Sequence, residues 1–109
     1  MNGYKALENS ARILGLSSVD ENLKIIGLPL VNAVLNDMGF KGLNSLSEKV
    51  GLPSEESRTT VTFGLAALIS NAVGDSEGFD MASKNYKKRM ALLKGRVSSV
   101  LDVLPKGEY

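Results

Sequence analysis

Gly74-Asp75-Ser76-Glu77-Gly78 has the spacing of the nucleophile elbow, G-x-S-x-G, in which a serine on a strained strand-to-helix turn attacks a carbonyl carbon. That chemistry needs a histidine to take the hydroxyl proton and a parallel sheet to carry the turn. The chain has no histidine, and 109 residues leave no room for that fold. Ser76 is therefore expected in a plain helix-to-helix turn. Cysteine is absent too, which removes thiolate chemistry, disulfides and, together with histidine, the ordinary zinc ligands. Asp75, Glu77 and Asp80 lack the glycine and the closing glutamate of a calcium loop, and are read as acids that complement the positive start of a helix. No catalytic, cofactor-binding or metal-binding residue is assigned, and the chain is not read as an enzyme.

Two features point to binding instead. Lys84, Lys87, Lys88, Arg89, Lys94 and Arg96 follow one another without an intervening acid. On a helical projection they occupy the outer face and both flanks of an apolar stripe, where long basic stems can cover apolar surface. A solvated helix face accounts for them; the functional alternative is an anionic partner, either a protein or DNA passing nearby. The second feature, Leu46-Ser47-Glu48-Lys49-Val50-Gly51-Leu52-Pro53-Ser54-Glu55, has the look of the first helix and turn of a helix-turn-helix. Serines occupy its usual alanine and branched anchor positions, Ser47 and Ser57. Its recognition helix would open with Glu55 and Glu56 and offer phosphates only Arg58, an electrostatic arrangement set against DNA.

The elements that would position these residues are helical. Leu7, Ala11 and Leu14 mark a first helix over about 4–14, stopped by Gly15 with Leu16 behind it. Ser18 and Glu21 form a capping box that starts a second helix. Its expected buried stripe is Leu23, Ile26, Leu30 and Val34, with a kink or break at Gly27 and Pro29 and a stop at Gly39 that folds Phe40 back on Leu35. The stretch 41–53 reads as a long connection, pinned to the core by Leu43, Leu46, Val50 and Leu52, with room for one short helical turn. Ser54, Glu55 and Glu56 start a central third helix with Val61, Leu65, Leu68 and Ala72 on one face, joined by Ala66, Ile69 and Val73. Thr59-Thr60-Val61-Thr62 is a β-branched run that favours a strand, but the surrounding period is helical. Gly64, Ala66 and Ala67 are small enough to let another helix close in. Gly74 ends the third helix, and Phe79, Ala82, Tyr86, Met90, Leu93, Val97 and Leu101 mark a fourth before a polar tail from about 103.

Composition agrees with one domain spanning 1–109: an all-α, compact bundle of about four helices with a long central loop. Hydrophobic residues make up 43% and charged residues 23%, enough apolar surface for a core. The net charge of +1, from 13 basic and 12 acidic residues, gives no overall field toward nucleic acid or membrane. Apolar runs such as 65–69 fall far short of a membrane span and the first residues lead into no signal-peptide core, so synthesis in the cytosol is expected.

The order of these pieces resembles the small head-to-tail connector proteins of tailed phages and prophages, including the tail accessory factor type. The likeness runs through Arg12-Ile13-Leu14-Gly15-Leu16, Leu35-Asn36-Asp37-Met38, the loop from Leu43-Asn44-Ser45-Leu46-Ser47 to Leu52-Pro53, and Thr62-Phe63-Gly64-Leu65-Ala66-Ala67-Leu68-Ile69. It continues through Gly74-Asp75, the basic helix holding Tyr86, and Val100-Leu101-Asp102-Val103-Leu104-Pro105. It is a likeness of layout, without a diagnostic short motif. It implies a structural virion component, assembled in the host cytoplasm, that docks as a homo-oligomeric ring on the portal protein, meets tail or stopper proteins and extends the DNA channel. It further implies contacts through the Met1 end, the 41–53 loop and the 103–109 tail, with the basic cluster open to non-specific contact with packaged DNA. Membrane and small-molecule partners are not expected. The alternative from another class is a small helix-turn-helix regulator built on Ser47 to Arg58.

Overall fold

The computed structural model describes residues 1–16 and 19–102, with side chains described to residue 93. Four helices account for most of it: α1 (Gly3–Ile13), α2 (Glu21–Asp37), α3 (Glu55–Val73) and α4 (Ser76–Asp102). Among the described residues the only β pairing is one isolated antiparallel bridge, Asn2 to Lys49. The chain is thus an all-α bundle with one long connection, as its periodicity predicts. No described helix is long and apolar enough to cross a membrane.

Helix α3 is the hub, with each of the other three packed on it. Its Val61, Leu65, Ala66 and Ile69 are fully buried because it is apolar around most of its circumference. The threonine run stays helical because hydroxyls turn back on the preceding turn: Thr60 Oγ1 donates to the Glu56 carbonyl at 2.7 Å and Thr62 Oγ1 to that of Arg58 at 2.9 Å. Ser54 caps the start, accepting from the Ser57 amide. Leu68 is half-buried, and Ala72 and Val73, expected on the buried face, are exposed in the last turn.

Helix α2 departs from expectation in three ways. Of the kink or break expected at Gly27 and Pro29, the break is absent: α2 runs as one helix with Pro29 inside. Its cap is Asp20, whose carboxylate accepts from the Leu23 amide at 2.8 Å. Ser18 of the expected capping box lies outside the described residues; a charged cap also complements the helix dipole, which serine cannot do. The buried face is Leu23, Gly27, Val31, Val34 and Leu35, with Ile26 at 39% exposure and Leu30 half-buried. The reason for the rotation is Gly27. A Cβ there would lie 2.5 Å from Leu7 Cδ1, so the missing side chain lets α1 close onto α2.

The 41–54 connection is held by specific polar bonds. It holds one short turn, closed by the Glu48 amide on the Ser45 carbonyl at 3.1 Å, but no helix, so the first helix of the helix-turn-helix suggested by Leu46–Glu55 is not formed. Asn32 on α2 clamps it with both ends of its amide, donating to the Leu43 carbonyl at 2.9 Å and accepting from the Leu43 amide at 2.6 Å. The first amides of α1, which have no intrahelical acceptor, donate to this segment: Gly3 to the Glu48 carbonyl and Tyr4 to that of Leu46. Leu43, Leu46 and Val50 are buried in the core beside Leu7, Leu35 and Leu65. Gly15, Gly39 and Gly74 all take positive φ at helix ends, and Phe40 donates back to the Leu35 carbonyl at 2.8 Å, the stop foreseen there.

Candidate functional site

The α3–α4 hairpin carries the candidate site. Asp75 sets its start: it ends α3 by donating its amide to the Ser70 carbonyl, and its carboxylate accepts from the Gly78 amide at 2.9 Å. Ser76 is the exposed first residue of α4, inside a helix-to-helix turn as expected. The helices then run antiparallel in close contact, with Gly64 opposite Tyr86 and Ala82 packed with Ala66 and Ala67. Of the expected α4 stripe, Ala82 and Met90 are buried and Tyr86 and Leu93 half-buried, but Phe79 is 40% exposed. Phe79 stands at the turn end of the hairpin, in a shallow groove with Ser70, Asn71 and Gly74. Val97 and Leu101 have side chains outside the described residues.

This frame separates the basic cluster into distinct environments. Lys84 is exposed and pairs with Asp80 at 3.3 Å, one turn back, a surface bridge of small energetic weight. Lys87 and Lys88 are exposed, with no ion pair to any described acid. Arg89 turns away from the open face: its guanidinium lies 5.0 Å from the centre of the Phe63 ring, and its Nε is buried without a hydrogen-bond partner among the described residues. It is a clamp between α4 and α3, stabilised by the ring face. Lys94 and Arg96 have side chains outside the described residues, as does the whole tail from 103.

Behind the cluster lies an interaction that sequence reasoning missed. Tyr86 Oη donates to Asp37 Oδ2 at 2.5 Å, tying α4 to the end of α2 across 49 residues of chain. Burial, the hydrogen bond to Asp37 and that carboxylate's charge, in that order, push the phenol well above its ordinary pKa of 10. Ala33, Val34, Gly64, Ala67 and Leu68 complete a small apolar recess there. The signal was present in Gly64: a Cβ would stand 2.8 Å from both the Tyr86 ring and Val34, so three helices meet at that glycine. Arg58, the one phosphate-facing cation of the alternative reading, is half-buried and lines a groove between α3 and α1 with Lys5, Asn9 and Arg12.

Fold and site together define an all-α bundle with a basic-faced hairpin. No family model matches the chain, and no curated protein or solved structure resembles it at a significant level.

Proposed function

We propose that this protein is a structural assembly component, a head-to-tail connector of a tailed phage or prophage that forms a homo-oligomeric ring on the portal, meets tail or stopper proteins and lets packaged DNA pass along the α4 face. The observation that supports it best is the row formed by Lys87 and Lys88 on a 27-residue helix braced along α3. Exposed cations without partner acids among the described residues suit weak, sequence-independent contact with phosphates. The rest of the reading comes from the order of the sequence pieces. The Met1 end and the 41–53 loop, which the connector resemblance assigns to partner contacts, are joined side by side through Asn2 and Lys49 and through the Val50 amide on the Met1 carbonyl. One surface therefore offers both.

The helix-turn-helix alternative is less favoured, because it lacks its first helix and its Arg58 faces α1. Reversing Lys87 and Lys88 to glutamate tests the connector reading. Particle completion or DNA retention should fall while the circular dichroism spectrum and the melting temperature hold. Unchanged particles, or a sequence-selective duplex complex lost on mutating Arg58, would overturn it.

A further inference from the structure

The recess between the end of α2 and the α3–α4 hairpin has apolar walls and one charge. Its volume is about 260 Å³, below the roughly 300–1,000 Å³ of pockets that take drug-sized ligands, so its occupant is the size of a single side chain. Val34, Gly64 and Ala67 are its buried floor, and Asp37 stands exposed at its rim beside Ala33. Asp37 forms no ion pair with a described residue. It is also the last residue of α2, where the helix dipole is negative, and that last turn carries no basic residue. Two negative features thus coincide without a cation among the described residues.

We propose that this recess is a binding site for an alkylammonium group, supplied by a lysine side chain of a protein partner. The aliphatic stem lies against Val34, Ala67 and Leu68 while the ammonium meets Asp37 at the rim, the division by which long basic side chains bury their stems and keep their charge near water. A neutral apolar group would cover the carboxylate and leave its charge unpaired, and an anion would be repelled. Asp37 also separates lysine from arginine. Its Oδ2 already accepts from the Tyr86 hydroxyl at 2.5 Å, so one oxygen stays open, whereas the paired donors of a guanidinium are matched by two. A compact ammonium with three rotating donors needs only one. The hydroxyl is held in place because the Tyr86 ring closes on Gly64, where a Cβ would stand 2.8 Å from it. A free amine the length of a lysine side chain would bind here only with a Kd of about 1 mM or weaker, so a lasting occupant is one that a larger surface around the recess also holds.

This goes beyond the connector reading and does not rest on it. The recess shares no residue with the Lys87 and Lys88 pair, so each idea is tested on its own residues and the two can fail separately.

Nuclear magnetic resonance titration of the full chain reads the site amide by amide. At neutral pH, n-butylamine should shift the amides of Asp37, Gly64, Ala67 and Tyr86 and saturate, while n-butanol should bind at least about tenfold more weakly for want of the charge. A blocked glycine-lysine-glycine peptide should bind at least as tightly as n-butylamine, and its arginine counterpart more weakly. Asp37→Asn should weaken the lysine peptide by at least about tenfold. Ala33→Leu should do the same by filling the rim while keeping the charge. Both positions are exposed, so the circular dichroism spectrum should hold. Tyr86→Phe opens the second carboxylate oxygen, so the arginine peptide should gain on the lysine one. The proposal is overturned if neither amine nor lysine peptide gives a saturable shift, if the lysine response survives Asp37→Asn, or if n-butanol binds equally well. An arginine peptide that binds as tightly as the lysine one to the wild type would overturn the choice of lysine. Putrescine binding about tenfold more tightly than the lysine peptide would assign the recess to a free diamine and overturn the protein source.

Discussion

Tyr86→Phe is the sharpest test of how α2 and α4 are joined. The substitution removes one hydroxyl and keeps the ring against Gly64 and Val34, so no cavity confuses the result. A hydrogen bond to a charged acceptor contributes about 1.5–3 kcal/mol when enclosed. Asp37 is exposed, so water takes over part of the acceptor's demand, and a loss of about 1 kcal/mol is expected. For a chain of this size that lowers Tm by roughly 4–8 °C. Asp37→Asn completes a double-mutant cycle by chemical denaturation, with an expected coupling near 1 kcal/mol. The pH dependence follows from the raised phenol pKa. The folded state holds the protonated phenol more firmly than the unfolded chain does. The stabilisation is therefore fully present below about pH 10 and is lost as pH rises through the higher folded pKa. Wild type should lose stability in alkali faster than Tyr86→Phe. Single-mutant effects that add within about 0.3–0.5 kcal/mol, or a Tyr86 phenol that ionises at its ordinary pKa, would refute the reasoning.

Further outcomes follow from the packing. Leu65→Ala, at a fully buried position on the central helix, should cost about 2–5 kcal/mol in denaturant unfolding. Gly27→Val should destabilise by about 1–3 kcal/mol despite a better helix former, because its Cβ meets Leu7; a neutral melt would show that α1 and α2 have room to part. Asp20→Ala should cost about 1 kcal/mol through loss of the cap on the Leu23 amide. Pro29→Ala should raise Tm, since proline in a helix interior costs up to about 3 kcal/mol.

The parts of the fold legible in the sequence were those where one residue type has one physical use. Gly15, Gly39 and Gly74 each took the left-handed turn that only glycine adopts without strain, and Ser54 capped the helix it precedes. The buried face of α2 was not legible, because apolar residues lie on every side of it and periodicity cannot choose among them. What chose was Gly27, through the approach of Leu7, a long-range fact that local pattern does not contain. Pro29 was misleading for a related reason. Its missing donor forbids an ideal helix but does not by itself end one, and the packing of Gly27, Val31 and Val34 on either side outweighs the lost bond.

The basic cluster shows the same division between composition and geometry. As a string it is six equivalent cations. In three dimensions Lys84 is matched by Asp80, Arg89 is turned inward onto Phe63, and Lys87 and Lys88 are exposed with no ion pair among the described residues. Nothing in the spacing separates Arg89 from Lys88, since the difference arises from which flank of α4 faces the ring on α3. The consequence bears on any experiment with this face. Arg89→Ala should weaken the α3–α4 seam and lower stability, whereas Lys87→Glu and Lys88→Glu should leave the fold alone and change what the face meets. A charge-reversal series that included Arg89 would mix the two effects, so a functional loss from it would say nothing about an anionic partner until the fold had been measured separately.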